Sequence, residues 1–167
     1  MSTNLKTKTG MKTLNYIKLE ESKLQSVLAS LQQLLADYQI YYSNLRGFHW
    51  NIKGRDFFVL HKQFEEMYNN TAEKVDEVAE RILTLGGKPS NKYSDYLKTS
   101  NIKEVDHIEN GDEALANILE SLSYFIVAER KLLAEASEAG DEVTVALMSD
   151  YLKEQEKLVW MLTAYNS

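Results

Sequence analysis

The chain has 167 residues, 44% of them hydrophobic, with one proline, seven glycines and no cysteine. This is enough for one hydrophobic core in a single domain of ordinary size. The missing cysteine excludes structural disulfides, thiolate metal sites and a cysteine nucleophile, so a bound metal must be held by nitrogen and oxygen. The formal net charge of −6 argues against nucleic-acid binding by the folded body and suits attraction of cations. Residues Met1 to Gly10 are polar and lysine-bearing, without an apolar leader-type core, and no apolar run approaches the roughly 18 residues of a membrane span. A soluble, cytoplasmic protein with no membrane contact is expected.

Residues 1–19 read as a flexible or partly ordered N-terminal tail, and 20–167 as the folded body. Long stretches free of both proline and glycine run from Met11 to Arg46, Arg55 to Leu85, Asp112 to Ala139 and Asp141 to Ser167. Because those two residues break helices, four long helices are predicted. The first runs roughly from Glu20 to Asn51, tolerating Gly47. Its apolar residues recur at helical spacing through Leu24, Val27, Leu28, Leu31, Leu34, Leu35, Tyr38, Tyr41, Tyr42 and Leu45. In the second, Phe57, His61, Phe64, Tyr68, Ala72, Val75, Ala79 and Ile82 share one face, with Asp56 as N-cap and Leu85-Gly86-Gly87-Lys88-Pro89 as the stop signal. The third and fourth open after Gly111 and Gly140 with acidic pairs that suit the positive end of the helix dipole. Between the second and third lies Lys88 to Asn110, too long for a plain connection, whose Tyr93 to Leu97 portion predicts a short helix. Short connections at Gly54 and Gly140 with one long crossover describe an all-α, ferritin-like four-helix bundle.

Two of the three histidines, His49 and His61, flank the turn at Gly54, and an antiparallel hairpin brings them to similar height. Each continues the apolar face of its helix, which fits a hydrogen-bonded core residue as well as a ligand. At about 100° per residue, Glu65 lies roughly 40° round the second helix from His61, Asp76 roughly 60° and Glu80 roughly 100°. The carboxylates are thus expected on or beside the buried stripe, where they need ion pairs or a metal. Imidazole with carboxylate suits iron, manganese or zinc; pairing with Arg81 and Lys74, or a solvated acidic face, is the competing explanation. His61 and Asp76 are about 22 Å apart along the helix axis, so one chain cannot bring them together. The only Glu-x-x-His motif, Glu104 to His107, falls in the crossover, which disfavours a two-metal centre inside one bundle and leaves His107 as a surface residue. Antiparallel packing of two such helices about a two-fold axis near Asn70 places His61 of one chain beside Asp76 and Glu80 of the other, giving a shared, duplicated site.

The segments Phe48-His49-Trp50-Asn51-Ile52-Lys53-Gly54, Phe57 to His61, and Asp76-Glu77-Val78-Ala79-Glu80-Arg81 followed by Leu85-Gly86-Gly87-Lys88-Pro89 resemble the Dps family, the mini-ferritins. The likeness extends to Tyr165, through Glu156-Lys157-Leu158-Val159-Trp160-Met161-Leu162. The resemblance implies a twelve-subunit hollow shell built from two-fold dimers. Such a shell binds Fe2+ at the dimer interfaces, oxidises it to Fe3+ preferentially with hydrogen peroxide, and stores a ferric mineral, protecting against oxidative stress. It also implies a catalytic and metal-binding set of His49, His61 and Glu65 from one chain with Asp76 and Glu80 from its two-fold partner. Family members commonly carry Asp at the position of Glu65, whose reach is one methylene longer. Trp50 lies next to the site in the family, with electron transfer or plain packing as its role. Imidazole and carboxylate bind Fe(II) without thiolates that peroxide would oxidise, and their accumulated negative charge favours Fe(III).

Twelve chains of −6 each would carry about −72, a field that concentrates Fe(II) near the shell. The resemblance implies iron pores lined from the start of the fourth helix. Glu142 matches that role, Ala146 stands where an Asp is usual, and Asp150 lies one turn later. Asp141 and Glu142 also suit capping and the helix dipole. The alternative function is DNA compaction through Lys6, Lys8 and Lys12 in the N-terminal tail, with iron oxidation secondary. The acidic body favours a solubilising or docking role for that tail instead. A helical interaction module whose acidic stripe only pairs with lysine and arginine is a third reading.

Overall fold

The computed structural model of the chain describes residues 12–167. They form α1 (Thr13–Ile17), a 3-10 turn (Glu21–Lys23), α2 (Gln25–Asn51), α3 (Phe57–Thr84), α4 (Tyr93–Thr99), α5 (Gly111–Glu138) and α6 (Glu142–Tyr165), with no strand among the described residues. The α2–α3 hairpin turns at Gly54 and the α5–α6 hairpin at Gly140, and the two close on each other through α2 and α5. The long crossover carries α4 against α2, completing the expected ferritin-like bundle. No helix among the described residues is long and apolar enough to cross a membrane.

Helix boundaries follow local chemistry, with three departures from expectation. The first long helix begins at Gln25 rather than Glu20, because the chain tightens into the 3-10 turn and delivers Leu24 to the core, fully buried at the N-cap. Nothing in the sequence breaks the helix there; burial of Leu24 sets the bend. Upstream, α1 lies within the expected tail and carries a buried Leu14, while residues 1–11, with Lys6 and Lys8, fall outside the described residues. Asp56 occupies the N-cap position of α3 but makes no side-chain cap. Side-chain caps act instead on the second hairpin: Asn110 accepts from the Glu113 amide and Asp141 from the Thr144 amide. At the end of α3, Gly86 takes a positive φ of 82° and Gly87 sits where a Cβ would come within 2.9 Å of Ile82 and Leu28. The double glycine therefore both reverses the chain and lets it press against α2.

The buried side of α3 is Leu60, Phe64, Met67, Thr71, Lys74, Val78 and Ile82. That corrects the expected face: His61 is half-buried, Ala72 is exposed, and a lysine lies in the stripe. Lys74 is accommodated because its ammonium donates to Glu154 and Asn70 and lies over the Tyr151 ring. Two further buried charges tie the layers together. Arg81 pairs with Asp141, the residue that caps α6, and donates to Thr144. Asp37, fully buried in α2, accepts from Gln33, the Ser100 hydroxyl, the Asn101 amide and the Tyr124 hydroxyl. Burial first, and the Asp37 carboxylate second, push the Tyr124 phenol up to about 12, so it remains a donor.

Asp37 thus fastens the crossover to α2 and α5. Replacing it with Ala leaves several buried donors unpaired and is expected to cost on the order of 3 kcal/mol in urea unfolding, with faster amide exchange at Asn101 and an unchanged helical signal. Equal stability of D37A and the parent would show that water replaces the carboxylate without loss.

Candidate metal site

The turn at Gly54 sets the end of α2 against the start of α3, and the first consequence is chemical. The imidazoles of His49 and His61 stack with centroids 3.8 Å apart and planes 17° from parallel. His49 Nδ1 lies 2.7 Å from the carbonyl oxygen of His61, and His61 Nδ1 lies 2.8 Å from the carbonyl oxygen of His49. A carbonyl oxygen only accepts, so each Nδ1 must donate, and in the neutral ring this leaves Nε2 with a free lone pair. Neutral imidazole held in that tautomer is a ready metal ligand. Phe57 stacks on the outer face of the pair at 4.9 Å from His61, and Tyr68 meets His49 edge-on at 5.3 Å. His49 is 9% exposed and His61 half-buried, so the donors sit at the margin of the core with an opening to the outside.

Glu65, one turn beyond His61, is exposed, as are Asp76 and Glu80 further along α3. This corrects the expectation that they lie on or beside the buried stripe, where they would need ion pairs or a metal. Each lies one or two positions away from the buried stripe, a rotation of at least 100°. None makes an ion pair with lysine or arginine among the described residues; Arg81 and Lys74 are committed to Asp141 and Glu154. The ion-pair explanation for this acidic set therefore falls away, whereas a solvated acidic face agrees with the exposure of all three. Among the described residues no three His, Asp or Glu side chains of one chain converge on a common point.

The outward line of α3 has a second regularity. Phe58 and Leu83, 83% and 54% exposed, stand at its two ends. Phe58 with Leu83, His61 with Glu80, and Glu65 with Asp76 are pairs whose members lie equally far from the midpoint between Asn70 and Thr71. Trp50 is also outside the core, 62% exposed with the Arg46 guanidinium 4.6 Å above its ring, so internal packing does not explain it. His107 is exposed and meets Glu109. Glu142, Ala146 and Asp150 are exposed in one row along α6, whereas Asp141 is consumed by the cap and by Arg81. Sequence reasoning passed over Glu129, although its spacing of four from Phe125 and seven from Leu122 puts a carboxylate in an apolar stripe.

Residues 28–167 match the family model for the ferritin-like domain. Among curated relatives, the DNA protection during starvation protein of Porphyromonas gingivalis is 53% identical over 86 residues, 52% of this chain and 54% of that protein. The matched stretches span about half the length of such relatives. The Dps protein of Vibrio cholerae O1, described as one of the ferritin-like diiron-carboxylate proteins, superposes with a TM-score of 0.90 at 46% identity, over 95% of this chain and 99% of that one. The Dps protein of Bacillus brevis gives 0.85 at 32% identity, over 89% and 100%. The chain belongs to the ferritin-like domain family, and within it to the Dps proteins.

The reciprocal histidine bonds make a direct prediction. Long-range 1H–15N spectra of the metal-free protein should show His49 and His61 both as the Nδ1–H tautomer, with His107 free to differ. An Nε2–H signal from either would contradict the described lock.

Proposed function

We propose that this protein takes up Fe(II) as substrate, oxidises it, and stores the ferric product, and that each oxidation site is completed by two chains. The observation that carries the reading is the pairing of two imidazoles with free Nε2 lone pairs and an outward helix face bearing unpaired carboxylates at mirror-related positions. A second copy laid antiparallel along α3 brings His49, His61 and Glu65 opposite the partner subunit's Asp76 and the partner subunit's Glu80. The same operation covers Phe58 and Leu83 with each other, so apolar burial holds the register that the ligands need. Two sites arise per dimer, and closed assembly of such dimers into a twelve-subunit shell supplies the storage cavity.

In that site the imidazoles bind the ferrous ion and the carboxylates stabilise the higher charge of the ferric one, so the ligand set itself drives oxidation. Hydrogen peroxide is the proposed oxidant: two Fe(II) ions give up one electron each, and peroxide with two protons leaves as two waters. Both reagents of hydroxyl-radical chemistry are consumed together, a protective role against oxidative damage. A chain without cysteine loses no ligand to the oxidant. Glu142 and Asp150 on α6 are candidates for leading iron inward. DNA compaction gains no support from the described residues: of Lys6, Lys8 and Lys12 only Lys12 is among them, and it pairs with Glu21.

Two measurements test this reading. Chains carrying His61→Ala and chains carrying Asp76→Ala should each be nearly inactive, while verified mixed dimers regain one of their two sites; no recovery would sink the shared site. Anaerobic Fe(II) titration followed by equal additions of peroxide or oxygen should show binding and faster oxidation by peroxide, and the reverse order would overturn the oxidant assignment.

A further inference from the structure

The centre of the bundle holds a polar group that iron chemistry leaves unused. Glu129 of α5 is fully buried, and its Oε1 accepts from the Tyr38 hydroxyl of α2 and, at 2.8 Å, from Gln155 Nε2 of α6. Gln155 Nε2 also donates to the Tyr38 oxygen at 2.9 Å. Every donor hydrogen of the trio is thereby used. Two acceptors remain without a partner, Glu129 Oε2 and Gln155 Oε1, both buried. Lys74 of α3, the cation whose charge acts on Glu129, is already bound to Asn70 and Glu154.

An ionised carboxylate leaves this inventory two donors short. Each of the two unpartnered oxygens would need a hydrogen of its own, at the cost that attends any buried unmet acceptor. One added proton can resolve both: on Glu129 Oε2 it becomes a donor, and Gln155 Oε1, on the amide whose Nε2 already binds Glu129 Oε1, is an acceptor without a partner. Acid and amide then form a closed ring, N–H to Oε1 on one side and O–H to Oε1 on the other. Water does not resolve the pair equally well. A cavity of about 20 Å3, room for one molecule, is lined by Gln155, Tyr38 and Lys74, but Glu129 does not line it.

We propose that Glu129 is a proton-binding site in the bundle core, closed when protonated in an acid–amide ring with Gln155, and that proton uptake there locks α5 to α2 and α6. The charged and titratable groups facing it are Tyr38 from α2, Lys74 from α3, and Tyr151 and Glu154 from α6; Glu77 of α3 is engaged by the Tyr151 hydroxyl. Burial outweighs the hydrogen bonds from Tyr38 and Gln155 and the attraction of Lys74, pushing the Glu129 carboxyl up to about 7. An acid whose folded value is raised holds its proton longer in the folded state than in the unfolded chain. Its contribution is complete below the unfolded value and is lost as pH rises to the folded one. This is the opposite sign to an ion-paired surface carboxylate, so the lock tightens as the medium acidifies.

The test uses the assembled protein and two readouts. Infrared difference spectra at pH 5.5 between the parent and Glu129→Gln should show the carbonyl stretch of a protonated carboxylic acid, lost from the parent by pH 9. Over the same range the folding constant of the parent, relative to E129Q, should fall by roughly thirtyfold, tenfold for each pH unit between 5.5 and the folded titration. If E129Q does not assemble, Tyr38→Phe serves: it removes a donor to the anion and should move the infrared midpoint to higher pH. A parent spectrum with no acid band at pH 5.5 would overturn the proposal, as would an E129Q protein with the parent's pH slope or an unmoved midpoint in Y38F. Iron oxidation enters neither readout, so the result stands apart from the proposed function.

Discussion

Closure of α2 on α3 at Gly54 is the constraint on which the rest depends. It places the last turn of one helix against the first turns of the next, so two side chains twelve residues apart exchange hydrogen bonds with each other's backbone. Those bonds fix both imidazole rings and assign their protons, which decides the atoms left for coordination. Phe57 and Tyr68, from the same α3 segment, hold the stack from either side.

The bundle treats its charges in two distinct ways. Those that face inward are matched across helices: Arg81 with Asp141, Lys74 with Glu154, Asp37 with four donors from three segments. Such groups are costly unless satisfied, and their partners join α2, α3, α5, α6 and the crossover into one unit. Glu65, Asp76 and Glu80 receive no such partner and stay on the outward face of α3. The proposed two-chain site rests on that division, because the interior does not compete for the same carboxylates.

Much of this was legible in the residues. The helix count, the crossover, and the placing of His49 and His61 at one height follow from where proline and glycine stand and from helical periodicity. The motif around His49 and the acidic pair Asp76 and Glu80 carry the resemblance to the Dps family, to which the chain belongs. Less legible were the bend at Leu24 and the true buried stripe of α3. Both are set by which neighbour a side chain meets, and Lys74 enters the core only because Glu154 and Tyr151 of α6 receive it. Periodicity ranks residues by polarity, and it therefore assigned the stripe to His61 and Ala72 rather than to a lysine.

What the sequence determined by itself is the set of elements and the chemical alphabet of the site, since helix breaking and ligand type are properties of single residues and short spacings. Tertiary structure alone decided the proton positions on the two imidazoles, the commitment of Arg81 and Lys74 elsewhere, and the acceptor-rich trio of Tyr38, Glu129 and Gln155. Each depends on atoms brought together from helices far apart in the chain, and hydrogen bonds at 3 Å discriminate among neighbours that no one-dimensional pattern resolves.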